Sequence, residues 1–173
     1  QDLTISGGYV YALSSNNDGI DANGNCYVKD GVIYAIGSRA PEVAIDANSE
    51  EGKKLFFTGG TLVAIGGLES GSSLTQPCYS ASSWNRNTWY ALYNGNDVAL
   101  VFKTPDNGGN TLVISTSGDT SLKSGVTVNG GTEYFEGAAI IGATVSGGNA
   151  INLSQYTSNG GNRPGGGGGP GGH

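Results

Sequence analysis

At 173 residues the chain is long enough for one domain of ordinary size with room for an appendage. Charged residues make up only 13 %, glycines number 32 and methionine is absent, a profile that suits a turn-rich β protein and excludes a helical bundle or a charged disordered chain. The net charge of -6 argues against nucleic acid, whose phosphates call for a basic footprint, and leaves neutral sugars, cations or basic partners. No apolar run approaches the ~20 residues of a membrane-spanning helix. No signal peptide is present, and Gln1 stands almost inside a strand pattern, as expected of a mature or trimmed product.

In chain order, the first predicted unit is Leu3-Thr4-Ile5-Ser6-Gly7 followed by Gly8-Tyr9-Val10-Tyr11-Ala12-Leu13. The same unit returns as Cys26 to Asp30 followed by Gly31-Val32-Ile33-Tyr34-Ala35-Ile36, and again as Leu55 to Gly59 followed by Gly60-Thr61-Leu62-Val63-Ala64-Ile65. Between the first two copies runs Asn16-Asn17-Asp18-Gly19-Ile20-Asp21-Ala22-Asn23-Gly24, whose core recurs as Ala44-Ile45-Asp46-Ala47-Asn48. Copies at this spacing identify a stacked architecture, since each unit buries its apolar face only against its neighbours. Superposition makes columns of Val10, Ile33 and Leu62, of Ala12, Ala35 and Ala64, and of Leu13, Ile36 and Ile65. Tyr11 and Tyr34 then share an outward column, either covered by another part of the chain or open as a platform for sugar rings.

Residues 68–87 have no period and read as an irregular loop or crossover. Alternating strands resume at Thr88 to Tyr93, Val98 to Thr104, Thr111 to Ser115, Val126 to Asn129, Thr132 to Phe135 and Ala143 to Ser146, with hairpin-type turns at Asn94-Gly95 and Asn129-Gly130-Gly131. The expected architecture is therefore all-β: a right-handed parallel β-helix, a short solenoid, over residues 1–67, and a C-terminal antiparallel β cap over 88–157 that protects its unpaired edges. From 158 to 173 a Gly- and Pro-rich tail carries too little apolar surface to offset its ordering entropy.

Side chains alternate along a strand, so Asp21 and Asn23 leave one face while Ile20 and Ala22 leave the other. Stacking the two copies sets Asp46 over Asp21 and Asn48 over Asn23, at the ~4.8 Å spacing of neighbouring strands. Carboxylates that close repel unless a cation or a proton lies between them. Calcium is the cofactor this suggests, with Asp18, Asp21, Asn23, Glu42, Asp46 and Asn48 as ligands, because hard cations take several oxygens. Neither an EF-hand loop nor the nonapeptide calcium repeat is present, and an Asn and Asp ladder that only satisfies turn backbones is the alternative.

Cys26 and Cys78 fit one disulfide or two buried thiols. Zinc is disfavoured, with no CxxC and the sole histidine, His173, at the end of the chain, which also closes Ser-His-Asp and Cys-His catalysis. The stacked carboxylates are too close for a glycosidase pair. A calcium-dependent uronate lyase is the enzymatic alternative, with a base drawn from Lys29, Lys53, Lys54 or Arg39. Aromatic candidates for carbohydrate are Trp84, Trp89 and Tyr90, ahead of Tyr11 and Tyr34.

The stretches Asn16 to Gly24, Pro41 to Asn48 and Phe57 to Gly67 resemble a bacterial family of secreted carbohydrate-binding parallel β-helix proteins, similar in fold to family 9 polysaccharide lyases. The resemblance is close over Leu3 to Gly67, looser over Ala99 to Ser146 and absent in residues 68–87. It implies calcium held by aspartates, association with cellulose or acidic sugars such as polygalacturonate, and no established lyase activity. One departure is that Asn16-Asn17-Asp18-Gly19-Ile20-Asp21 is answered in the second copy by Pro41-Glu42-Val43-Ala44-Ile45-Asp46, so Glu42 rather than a second aspartate would complete the site. The resulting expectation is a non-catalytic extracellular or cell-surface module that binds calcium and adheres to polysaccharide. A structural surface protein or adhesin is the third reading.

Overall fold

A computed structural model describes residues 1–158. Its strands, in chain order, are β1 Leu3–Leu13, β2 Ile20–Asp21, β3 Cys26–Ile36, β4 Ile45–Asp46, β5 Leu55–Phe57, β6 Thr61–Ile65, β7 Ser73–Leu74, β8 Tyr79–Ala81 and β9 Trp89–Asn94. There follow β10 Asp97–Lys103, β11 Leu112–Ser115, β12 Thr120–Ser124, β13 Thr127–Asn129, β14 Thr132–Tyr134, β15 Ala139–Ile141, β16 Thr144–Ser146, β17 Asn149–Ala150 and β18 Ser154–Gln155. The two helical elements among the described residues are 3-10 turns, Ser49–Glu51 and Phe135–Gly137.

The all-β class holds, but the parallel β-helix does not form. An eight-stranded mixed sheet curls into a half-barrel, in the order β18-β8-β11-β6-β3-β5-β7 with β1 on β3. Its β1, β3, β5, β6 and β7 contacts are parallel, and the columns Val10–Ile33–Leu62 and Ala12–Ala35–Ala64 are in register. The stack ends at β6, whose next neighbour is the antiparallel β11, followed by antiparallel β8 and β18. The chain itself stacks a little further, since past Gly66 and Gly67 Leu68 bridges Ile45 and β7 runs parallel to β5, but no fourth copy of the long strand follows and β11 takes the edge of β6. The other expected solenoid face shrinks to the two-residue pair β2–β4 and one bridge from Ile45 to Leu68.

The later strands build a six-stranded antiparallel sheet, β14-β15-β10-β9-β12-β17, and a two-stranded pair, β13-β16. Asn94-Gly95 closes the β9–β10 hairpin. The Asn129-Gly130-Gly131 turn makes no hairpin, because β13 pairs with β16 and β14 with β15. Residues 68–87 are not wholly irregular, since they contain β7 and β8.

Alternation sorts the core into layers. Ile33, Ala35, Leu62, Ala64 and Val113 face the interior of the curled sheet with Ile20, Ile45 and Phe57. Their neighbours Tyr34, Ile36, Val63, Ile65 and Ile114 face the second sheet, meeting Tyr90, Leu92, Leu100 and Phe102. Ala91 and Val101 point to a third layer with Val126. Burial on both faces makes β3, β6 and β11 read as near-continuous apolar runs. The tail expected over 158–173 lies outside the described residues except Ser158, which is buried and donates to the Ser72 carbonyl at 3.4 Å.

Candidate metal centre and glycan-facing residues

The acidic cluster is built by main-chain pairing between two short corners. Ile20 N–H donates to the Ala44 carbonyl at 2.8 Å, and Asp21 lies in register with Asp46. Asp18 replaces one backbone acceptor with its own carboxylate, taking a 2.7 Å hydrogen bond from Val43 N–H. Gly19 is required between them, because a Cβ there would lie 2.7 Å from the Ala44 carbonyl oxygen. A third layer continues the pattern. Leu68 bridges Ile45, and Glu69 N–H donates to the Ile45 carbonyl at 3.0 Å. Ile20, Ile45 and Leu68 point into the core, so alternation sends Asp21, Asp46 and Glu69 to the opposite side.

Carboxylate oxygens of Asp18, Asp21 and Asp46 lie within 4.8 Å of one another. Asp18 is raised from 3.8 to about 6, first by burial, against which the Val43 N–H works, and then by Glu42 and Asp21. Asp46 is raised well above the carboxylate range, first by burial, then by a hydrogen bond and charge from Glu69, then by Asp18 and Asp21. Every charged group acting on this pair is acidic.

Of the expected ligands, Asp18, Asp21 and Asp46 converge and Glu42 touches Asp18. Asn48 is turned away, its amide donating to the Asn23 carbonyl at 3.1 Å, and Asn23 is exposed beside it. Glu69, only 4 % exposed, is the member that sequence reasoning missed. Its signal was Leu68-Glu69 as a degenerate third copy of Ile20-Asp21 and Ile45-Asp46. The donor set suits calcium: every donor is a carboxylate oxygen, and a cation with ~2.3–2.6 Å bonds can touch oxygens up to ~5 Å apart.

The aromatic candidates disperse. Tyr34 is wholly buried, its hydroxyl donating to the Lys103 carbonyl at 2.7 Å, and Tyr11 is half-buried with its ring stacked on Phe135 at 5.2 Å. The column is thus covered by the second sheet. Tyr90 is buried against Phe102, and its hydroxyl accepts a 2.8 Å bond from Asn85 N–H. Trp89, one residue earlier, packs in the opposite layer, with Lys103 Nζ 6.0 Å from its ring centre. Trp84 lines a cleft. Of the basic residues, Lys29 lies over Tyr27, Lys53 and Lys54 are exposed, and Arg39 joins Trp84 in the cleft.

Cys26 and Cys78 are free and buried, and burial pushes both thiols up to about 11. No helix among the described residues is long and apolar enough to cross a membrane. No family model, curated protein or solved structure matches the chain.

Proposed function

We propose that the chain is a calcium-binding, non-catalytic module that adheres to polysaccharide outside the cell, with Asp18, Asp21 and Asp46 as the core of the cation site and Glu42 and Glu69 as flanking oxygens. The convergence of three carboxylates within 4.8 Å carries this reading. Two of them are held above their ordinary pKa by burial and acidic neighbours, so a divalent cation relieves a repulsion built by the backbone. The resemblance to secreted calcium- and glycan-binding proteins points to the same cation and to cellulose or acidic sugars. A bound cation with vacant coordination positions accepts a uronate oxygen and offsets repulsion between two anions.

Retention on polygalacturonate and on cellulose, with calcium and with chelator, tests the reading. Calcium-dependent retention on polygalacturonate, lost in Asp21→Asn/Asp46→Asn, is expected. Retention on neither polymer at any calcium concentration overturns adhesion and favours a structural or protein-binding role. An ultraviolet-absorbing unsaturated product, formed from polygalacturonate above a boiled control, overturns the non-catalytic assignment in favour of a uronate lyase.

A further inference from the structure

A cleft of about 620 Å³ opens where four loops meet: Ser14–Ser15, Ser38–Arg39, Ser82–Arg86 and Asp106–Asn110. This is the size of a small-molecule site. Its lining differs in charge from the rest of the chain. The net charge is -6, yet both arginines among the described residues, Arg39 and Arg86, line the cleft. Asp106 is the one acid that lines it, and its carboxylate accepts a hydrogen bond from the Asn87 amide. Arg86 Nη1 reaches only the Asp106 carbonyl, at 3.4 Å. Arg39 is exposed and, among the described residues, its guanidinium has no hydrogen-bond or ion-pair partner.

The wall between them is tied to the curled sheet by hydrogen bonds and close packing. Trp84 Nε1 donates to the Gly109 carbonyl at 2.8 Å, which holds the half-buried indole at the cleft. Gly109 in turn sits so close to the curled sheet that an added Cβ would lie 2.5 Å from Gly66 Cα. Gly109 N–H donates to the Gly37 carbonyl at 3.0 Å. Loop 106–110 is thereby clamped onto the corner that carries Ser38 and Arg39. Serine hydroxyls line the cleft from three of its loops.

We propose that this cleft is a second glycan site, which takes an anionic saccharide, carboxylated or sulfated, through protein donors alone and without a cation. Guanidinium groups bind carboxylate and sulfate oxygens by charge-assisted bonds. A fixed indole offers an apolar face to a sugar ring, and hydroxyls exchange hydrogen bonds with its OH groups. Two cations are too few to track a nucleic-acid backbone in a protein of this charge. The proposal rests on the polysaccharide reading above but not on its metal.

The test is calorimetric titration of the full chain in excess chelator with a galacturonate trisaccharide, its sulfated galactose counterpart, the neutral galactose trisaccharide and inorganic sulfate. At least one anionic trisaccharide is expected to bind, with the neutral one at least tenfold weaker. Arg39→Ala should weaken that binding by roughly tenfold, as loss of a charge-assisted hydrogen bond does. Trp84→Phe should weaken it as well, and Lys123→Ala, on the second sheet, should change nothing. The melting temperature of Arg39→Ala should match that of wild type, since the side chain is exposed.

Which trisaccharide binds more tightly identifies the anion. Binding that appears only with calcium and is unchanged in Arg39→Ala and Trp84→Phe overturns the cleft and leaves the cation reading standing. Sulfate as tight as the sugars reduces the cleft to a bare anion site and overturns the saccharide. No binding of any probe in chelator also overturns it. Persistent binding in chelator, with calcium neither stabilising the protein nor aiding adhesion, overturns the metal instead.

Discussion

At the scale of single residues, the acidic cluster sets the pH behaviour. Native Asp18 and Asp46 bind protons more tightly than the unfolded chain does. A carboxyl raised on folding adds stability that is full below about pH 4 and disappears as pH rises through its native value. Without a cation, stability should therefore fall as pH climbs through about 6 for Asp18 and continue to fall at higher pH for Asp46. Calcium at about 100 times its Kd should raise the melting temperature at pH 8 by about 5–10 °C. Asp46→Asn should melt no lower than wild type in chelator at pH 8, because a neutral amide needs neither the proton nor the buried charge that Asp46 must carry there, and should lose most of the calcium effect. Melting curves from pH 4 to 8, with calcium and with chelator, check both signs. A wild type whose stability in chelator rises with pH would refute the assignment.

At the scale of elements, the decisive contact is the face of β3 and β6 against β9 and β10. Tyr34 spans it, with its ring 5.5 Å from Phe102 in an edge-on contact and its hydroxyl on the Lys103 carbonyl. Tyr34→Phe keeps the ring and removes the bond that ties it to the Lys103 carbonyl. It should cost about 1–2 kcal/mol in chemical denaturation and leave glycan retention unchanged, since the residue is buried. Retention lost in a folded Tyr34→Phe protein would restore the tyrosine column as a binding platform.

The strands of this contact were legible in the sequence because period-two alternation survives burial. Alternation places Tyr11 and Tyr34 in one outward column because it reports which residues share a face, not what covers that face. The covering layer comes from residues 89–103, remote in the chain. The same limit divides the aromatic cluster. Trp89 and Tyr90, adjacent in sequence, necessarily leave opposite faces of β9 and pack in separate layers.

For the whole molecule, the interior of the curled eight-stranded sheet encloses both thiols. Cys26 and Cys78 are almost wholly inaccessible, and their raised values leave little thiolate at neutral pH. A thiol reagent should label neither in the folded state, label both in denaturant, and do so more slowly when calcium is present. Time courses at low denaturant check this. Labelling of a fully folded sample within minutes would mean that the layers open locally.

The sequence by itself determined the all-β class, the parallel register of β1, β3 and β6, and the juxtaposition of Asp21 with Asp46, because each follows from local alternation and a near-verbatim repeat. Tertiary structure decided where stacking stops. Leu68 and β7 still stack in parallel on Ile45 and β5, and it is the antiparallel β11, from a distant part of the chain, that takes the edge of β6 where a fourth copy would have paired. It also decided that Glu69 joins the acids and that Arg39, Trp84 and Arg86 share a cleft. Those contacts depend on backbone pairings and loop closures between distant segments, which no local pattern encodes.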